Sequence, residues 1–274
     1  MESEELPPGA DLTVQDLTVR FGGIVALEHV SLDVHRGEVL GVIGPNGAGK
    51  TTLFNAICGF VTPESGTLRW NGLPLDRIRP DRLAPLGIAR TLQGVGLFPR
   101  LTVLENVMAG AERFRRVGPL SALLGLPRSD RDERAQRTRA LDALARLHCE
   151  QVADRLPATL PFAVQKRVAL ARALVAEPEL LLLDEPAGGL DAGELSDLAE
   201  LIRALGASIA VMLVEHHMDL VMSVCDRVVV LDFGRVIAAG EPAAVRADKD
   251  VLEAYLGRDA DAEHVDAGAA NALR

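Results

Sequence analysis

The stretch that most constrains this chain is Gly44–Thr51, which reads G-P-N-G-A-G-K-T and is followed by Thr52. It fits G-x-x-x-x-G-K-[ST], the pattern of a phosphate-binding loop, in which glycines let successive backbone N–H groups turn toward phosphate oxygens. The apolar run Val39–Ile43 before it is typical of a buried parallel strand, and the residues after it are typical of a helix whose N-terminus faces the anion. A glycine-rich turn that binds nothing is the alternative, and the order strand, loop, helix argues against it.

Within the loop, one residue is predicted to bind phosphate and another to bind a metal ion. Lys50 would place a positive charge on the β- and γ-phosphates of a nucleotide, and the Thr51 hydroxyl would bind Mg²⁺. The nucleotide-binding residues predicted here are Gly44, Pro45, Asn46, Gly47, Ala48, Gly49, Lys50, Thr51 and Thr52.

A second strong signal is the pair of carboxylates that follows the run Leu180–Leu183. Four leucines predict a fully buried strand, and open α/β sheets bind ligands at the carboxyl ends of such strands. Asp184 would hold Mg²⁺ through water, and Glu185 would orient and deprotonate the attacking water. The alternative is an acidic pair in an exposed loop, which the phosphate-loop motif upstream disfavours.

Three further residues have weaker signals from spacing alone. Phe21 ends a predicted strand, where it could stack on a base or belong to the core. Gln93 ends a short apolar run, where it could reach Mg²⁺ or the attacking water, or be a surface residue. His216 follows the predicted strand Ser208–Val214, where it could donate to the γ-phosphate or be structural.

Composition excludes several classes of protein. A net charge of −10 and an aromatic content of 3% argue against a nucleic-acid surface. Three cysteines without C-x-x-C spacing predict neither disulfides nor a zinc site, which suits a reducing cytoplasm. The acidic start, Met1–Glu5, lacks the features of a signal peptide, and no apolar run approaches the roughly 18 residues that span a bilayer. At a membrane, other subunits would have to hold this chain.

Taken in order from Leu12 to Leu256, these features resemble the ATP-binding cassette ATPases of ABC transporters. The matching motifs are Walker A (Gly44–Thr51), the Q-loop (Gln93), Walker B with its catalytic glutamate (Leu180–Glu185), the D-loop (Gly189–Asp191), the switch histidine (His216) and the A-loop aromatic (Phe21).

This resemblance implies an α/β fold: a P-loop NTPase (RecA-like) core with an antiparallel β-layer and an α-helical subdomain. The nucleotide-binding domain would span residues 10–257, with the helical subdomain at about 94–176 and a disordered acidic tail at 258–274. The implied cofactors are ATP, with Phe21 on its adenine, and Mg²⁺, held by Thr51, Gln93 and Asp184. The implied catalytic residues are Glu185, His216 and Gln93.

Finer features are similar to the importer ATPases for branched-chain amino acids, whose close relatives handle urea or short amides. They are Arg20–Gly23, Ala89–Gln93, Thr102–Met108, Glu215-His216 and Asp250–Gly257. The implied assembly is a second, often non-identical ATPase subunit, two transmembrane permease subunits and an extracytoplasmic solute-binding protein. The chain would then lie peripherally at the cytoplasmic face of the cell membrane, without nucleic acid.

One motif departs from the family. The signature sequence, L-S-G-G-Q or L-S-Y-G in relatives, reads L-P-F-A-V-Q at Leu160–Gln165. In the family the signature of one subunit donates to the γ-phosphate of ATP on the other subunit. Pro161 has neither a hydroxyl nor an N–H, and Ala163 adds a Cβ, although proline suits a first helical turn and the helix should form.

The departure leaves two functions open: an ATPase subunit that powers import, and a regulatory subunit that closes around ATP but hydrolyses it poorly. A soluble ABC ATPase of DNA repair or translation is disfavoured, because no coiled-coil insertion or second cassette is visible.

Overall fold

The computed structural model describes residues 11–75, 78–91, 94–114 and 127–255. In these ranges the strands are β1 (Leu12–Phe21), β2 (Ile24–Val34), β3 (Val39–Ile43), β4 (Ser65–Trp70), β5 (Leu73–Pro74), β6 (Ile88–Arg90), β7 (Leu180–Asp184), β8 (Ala210–Val214), β9 (Arg227–Asp232) and β10 (Arg235–Gly240). The helices are α1 (Lys50–Ile57), α2 (Val103–Gly110), α3 (Pro127–Arg146), α4 (Phe162–Leu174), α5 (Ala192–Gly206), α6 (Met218–Val224) and α7 (Pro242–Arg246). Residues 249–255 are also helical.

The chain divides into two compact units, the first formed by residues up to Pro80 with those from Ala199, the second by Asp81–Leu198. In the first unit, an antiparallel sheet has the strand order β2-β1-β4-β5. Asn71 and Gly72 form its β4–β5 turn with φ of +47° and +75°, as a two-residue hairpin with both central residues left-handed requires. This sheet is the predicted antiparallel β-layer.

A second set of strands in the first unit positions the phosphate loop. Strand β3 lies between β8 and β9 and is parallel to both, while β10 pairs with β9 in the antiparallel direction. Every residue of β3 and β8 is buried, as strands covered on both faces require. Helix α1 follows β3 and buries Leu53, Phe54 and Ile57 on one face, and each such side chain contributes about 2 kcal/mol of burial free energy. The order strand, glycine-rich loop and helix confirms the predicted P-loop fold.

In the second unit, β6 runs parallel to β7, and α2 packs against both α3 and α4. Helix α2 begins with a capping box, in which the Thr102 hydroxyl accepts from the Glu105 N–H and the Glu105 carboxylate accepts from the Thr102 N–H. The Glu105 carboxylate also accepts from the Thr102 hydroxyl at 2.9 Å, and the two hydrogen bonds that the carboxylate accepts lower the pKa of Glu105. The predicted subdomain of about 94–176 contains α2, α3 and α4, and its boundaries stay a prediction.

Within the part of the chain that the structure describes, no helix combines the length and the apolar character needed to cross a membrane.

Candidate functional site

The phosphate loop joins the end of β3 to the start of α1 in a conformation that needs glycine. Gly44 has φ +147°, and a Cβ there would lie 2.1 Å from the backbone oxygen of Leu231. Gly49 has φ +104°, and a Cβ there would lie 2.6 Å from the backbone oxygen of Ala26. Because both contacts are with backbone, a larger residue at either position would have to displace a neighbouring strand or turn.

Lys50 places its ammonium group over this loop. Its side chain is buried, and Nζ donates to the backbone oxygens of Gly44 at 2.6 Å and Pro45 at 2.9 Å. The N-cap of α1, Gly49, has no side chain to accept from the first-turn N–H groups. Those donors and the helix dipole therefore favour an anion. Thr51 is exposed in the first turn of α1 and Thr52 is half-buried, so the loop offers a cation, amides and a hydroxyl.

The turn between β9 and β10 supports the loop from behind. The Gly234 N–H donates to the Ala48 carbonyl at 3.0 Å, and the Gly234 carbonyl accepts from the Glu28 N–H at 2.8 Å. A Cβ on Gly234 would lie 2.7 Å from the Ala26 oxygen, so the turn fits closely against β2. The loop is therefore fixed by residues that lie far from it in sequence.

Two other predicted residues lie in this first unit. Phe21 ends β1, is 51% exposed, and pairs with Ile24 across the β1–β2 hairpin, so its ring is not a core side chain. His216 follows β8, and its side chain is 54% exposed. The Glu215 carboxylate beside it is fully buried and accepts from the N–H groups of His216 and His217 at 2.8 and 3.1 Å, which fixes the backbone here. The Glu215, His216 and His217 side chains each have one possible metal-ligand atom, and these three atoms lie within 4.8 Å of one another. No cation is needed to explain their arrangement.

The acidic pair lies at the end of β7 in the second unit. Asp184 is 3% exposed, and its Oδ2 accepts from the Arg90 guanidinium at 2.7 Å. Arg90 ends the parallel neighbour β6, and the Thr91 hydroxyl next to it accepts from the Asp184 N–H at 3.2 Å. A buried carboxylate is thus neutralised by a cation from the adjacent strand.

Sequence reasoning did not assign this role to Arg90. A signal was present, since a carboxylate that closes a fully apolar strand needs a cation or a metal nearby. Arg90 is the only basic residue of the stretch Gly87–Gln93.

Glu185 has the left-handed backbone conformation, with φ +48°, and is half-buried. The next residues turn sharply: Leu190 N–H donates to the Ala187 carbonyl at 3.1 Å, and Ala187 is buried. The chain then enters α5 through Asp191, whose carboxylate accepts from the Glu194 N–H at 2.9 Å.

The altered signature begins α4. Pro161 is the N-cap residue, with φ −54° and no side-chain cap, and the helix starts at Phe162. The prediction that the helix forms despite the proline is confirmed. Pro161 and Phe162 are exposed, while Ala163 is half-buried.

The predicted site residues Phe21, Gly44–Thr52 and His216 thus lie in the first unit, and Asp184 and Glu185 in the second. Gln93 lies outside the described residues.

Comparison with known proteins identifies what the chain is similar to. A family model described as ABC transporter matches residues 27–188, and one described as branched-chain amino acid ATP-binding cassette transporter matches residues 235–261. The chain is 39% identical over 248 residues to the high-affinity branched-chain amino acid transport ATP-binding protein BraF of Pseudomonas aeruginosa, covering 90% of this chain and 97% of that protein. The same identity and coverage hold for the corresponding protein LivG of Escherichia coli.

A solved structure gives the same result. The crystal structure of a nucleotide-free ATP-binding cassette from an ABC transporter matches with a TM-score of 0.78 at 30% identity, covering 90% of this chain and 98% of that one.

Proposed function

Because the chain belongs to the ABC transporter family of ATP-binding proteins, we propose that it powers uptake of branched-chain or other hydrophobic amino acids, or of a related small solute such as urea or an amide. It is an ATPase subunit coupled to transport. The observation that carries the substrate class is the match of residues 235–261 to a C-terminal segment specific to branched-chain amino acid cassettes. The 39% identity to BraF over 90% of the chain supports it.

ATP would bind on the phosphate loop. The buried Lys50 ammonium, which otherwise bonds two loop carbonyls, would exchange them for β- and γ-phosphate oxygens. Residues 44–52 would surround the phosphates with N–H groups, and the half-exposed ring of Phe21 would stack on adenine.

Mg²⁺ fits the donors that this chain offers, since the Asp184 carboxylate and the Thr51 hydroxyl are the hard oxygen ligands that it prefers. These two residues, together with Gln93, would hold the ion, which when bound neutralises charge on the phosphates. Arg90 fixes the Asp184 side chain in the ion's absence, because it pairs with that buried carboxylate at 2.7 Å.

Glu185 would act as the general base that deprotonates the attacking water, Gln93 would help to orient that water, and His216 would donate to the γ-phosphate. The exposure of the His216 imidazole supports its part, since an exposed ring can reach a bound phosphate. The half-buried position of Glu185 directly after the fully buried β7 supports the assignment of the base.

The working assembly would contain a second, non-identical ATPase subunit, two transmembrane permease subunits and an extracytoplasmic solute-binding protein. This chain would lie peripherally at the cytoplasmic face of the membrane. Its nucleotide-binding domain would span 10–257, with a helical subdomain at about 94–176 and an acidic tail at 258–274.

Glu185→Gln tests the assignment of the base. Turnover by the purified transporter complex should fall at least 100-fold, because general-base catalysis contributes about 10²–10⁴-fold, while ATP affinity stays near that of the wild type. Glu200→Gln makes the same chemical change at an exposed position of α5 and should have no effect. A rate for Glu185→Gln within a few-fold of wild type would remove Glu185 from the mechanism.

Direction and substrate are tested in vesicles that hold the complete complex. With ATP inside and the binding protein outside, they should accumulate a branched-chain amino acid. ATP-driven export of a lipid or drug by the same vesicles would contradict the proposal.

A second candidate, a regulatory subunit with weak hydrolysis, is favoured by one observation. The signature lacks donors at Pro161 and carries a Cβ at Ala163. Steady-state hydrolysis by the complex, with Glu185→Gln introduced in this chain alone, separates the two. An unchanged rate would favour the regulatory candidate.

A further inference from the structure

The loop that carries Glu185 is held by the first turns of α4, within the second unit. The Lys166 ammonium donates to the Pro186 carbonyl at 2.7 Å, so a cation is fixed on the carbonyl of the residue directly after Glu185. An ideal Cβ on Gly188 would lie 3.8 Å from the same Nζ, which places the ammonium against the turn as well as at its start.

Phe162, one helical turn before Lys166, contacts the other end of the same turn. A Cβ on Gly189 would lie 3.0 Å from Cε1 of the Phe162 ring, and Gly189 has φ +76°. Residues four apart lie on one face of a helix, so a single face of α4 covers the turn from Pro186 to Gly189. The Lys166 ammonium also lies 5.3 Å from the centroid of the Phe162 ring, within range of a cation–π contact.

The backbone of Glu185 needs such support. A non-glycine residue at φ +48° is in a conformation that persists only where the surroundings impose it. Strand β7 fixes the chain before Glu185, since all five of its residues are buried. After Glu185, the hydrogen bond from the Lys166 ammonium fixes the Pro186 carbonyl.

From this geometry we propose that Lys166 is a positioning residue for ATP hydrolysis. Its ammonium fixes the carbonyl of Pro186, the residue after Glu185, and thereby the direction of the Glu185 carboxylate. The Phe162 ring fixes the ammonium and packs against the turn at Gly189. This inference rests on the proposed function of Glu185 as the base. It gives Phe162 of the signature a function within its own subunit, distinct from contact with ATP on a partner.

Lys166→Met in the purified transporter complex tests the proposal, because methionine keeps the apolar stem and removes the donor. We expect kcat to fall about tenfold, since small misplacements of a catalytic group cost one to two orders of magnitude in rate. The KM for ATP and the affinity for a non-hydrolysable ATP analogue should stay within about twofold of wild type. The midpoint of urea unfolding should stay at the wild-type value. Lys166→Arg, which keeps a cationic donor, should recover kcat to within about threefold.

Arg167→Met is the matched control. It removes the neighbouring cation of the same helix, whose own ion pair is with Asp197 of α5 at 2.7 Å. Its kcat should stay at the wild-type value. An equal fall in kcat for Lys166→Met and Arg167→Met, a change in KM rather than kcat, or no recovery with Lys166→Arg would each overturn the proposal.

Glu185→Gln, measured beside these variants, separates the inference from its premise. If Glu185→Gln keeps its turnover, the assignment of the base fails and the inference fails with it. If Glu185→Gln loses turnover while Lys166→Met keeps it, only the positioning function of Lys166 is refuted.

Discussion

Arg90→Met should destabilise the second unit far more than Arg167→Met, although the two ion pairs match in residue type, atoms and length. In each pair an arginine Nη2 lies 2.7 Å from an aspartate Oδ2. The pairs differ in burial: the side chains of Arg90 and Asp184 are 11% and 2% exposed, and those of Arg167 and Asp197 are 35% and 66% exposed.

The expected magnitudes follow from that difference. Without Arg90, the buried Asp184 carboxylate would lose its cationic partner, and breaking a buried pair on one side costs about 3–5 kcal/mol. Without Arg167, Asp197 is solvated by water, and an exposed pair contributes about 0–1 kcal/mol. We therefore expect the two variants to differ by about 2–5 kcal/mol in unfolding free energy.

Urea unfolding followed by circular dichroism, without nucleotide and Mg²⁺, measures this difference. The double variant Arg90→Met with Asp184→Leu should regain much of the lost stability, because removing both charges leaves nothing unpaired. If Arg90→Met and Arg167→Met lie within 1 kcal/mol of each other, or if the double variant is the least stable protein, then the Asp184 carboxylate does not depend on Arg90.

Four further outcomes are expected. Lys50→Ala should weaken binding of a fluorescent ATP analogue and abolish hydrolysis, because the buried cation of the phosphate loop is lost. Phe21→Ala should weaken ATP binding by about 1–2 kcal/mol, the scale of base–aromatic stacking, while Phe21→Trp binds normally; unfolding without a specific loss of binding would contradict the stacking. Pro161→Ser with Ala163→Gly should raise the ATPase rate of a homodimer roughly ten- to a hundred-fold, since a hydrogen bond to a charged group contributes about 1.5–3 kcal/mol; an unchanged rate would mean that the altered signature is tolerated. Burial, assisted by the charge of Asp226, raises the pKa of Cys225 to about 12. Iodoacetamide at pH 8 should therefore label this buried thiol in urea but not in the folded protein. Rapid labelling of the folded protein would contradict this.

Patterns that depend on residues close in sequence were predictable here. The apolar runs that became β3, β7 and β8 are short and uninterrupted, as strands covered on both faces must be. Asn71-Gly72 predicted a hairpin turn because few other residue pairs adopt two successive left-handed conformations.

Contacts between distant residues were not predictable. Strand β10 has four half-buried residues and no apolar alternation, so its sequence pattern does not predict a strand. Its position is set by pairing with β9. Arg90 and Asp184 are 94 positions apart, and nothing in the sequence pairs them before β6 and β7 are known to be neighbours. The hydrogen bond from Lys166 to Pro186 has no sequence signal either, because its acceptor is a backbone carbonyl, which every residue has.

The support of the phosphate loop by the β9–β10 turn sets an order of events during synthesis. Gly44 packs against the Leu231 carbonyl, and Ala48 accepts from the Gly234 N–H, so the loop lacks its backing until the ribosome has made residues far downstream. At about 5–20 residues per second, roughly 10–40 s separate the emergence of the two segments. A nascent chain that already carries every residue of the loop should therefore not yet retain ATP. A stop codon shortly before Gly234 should leave a product that cannot bind nucleotide, although its phosphate-loop motif is complete.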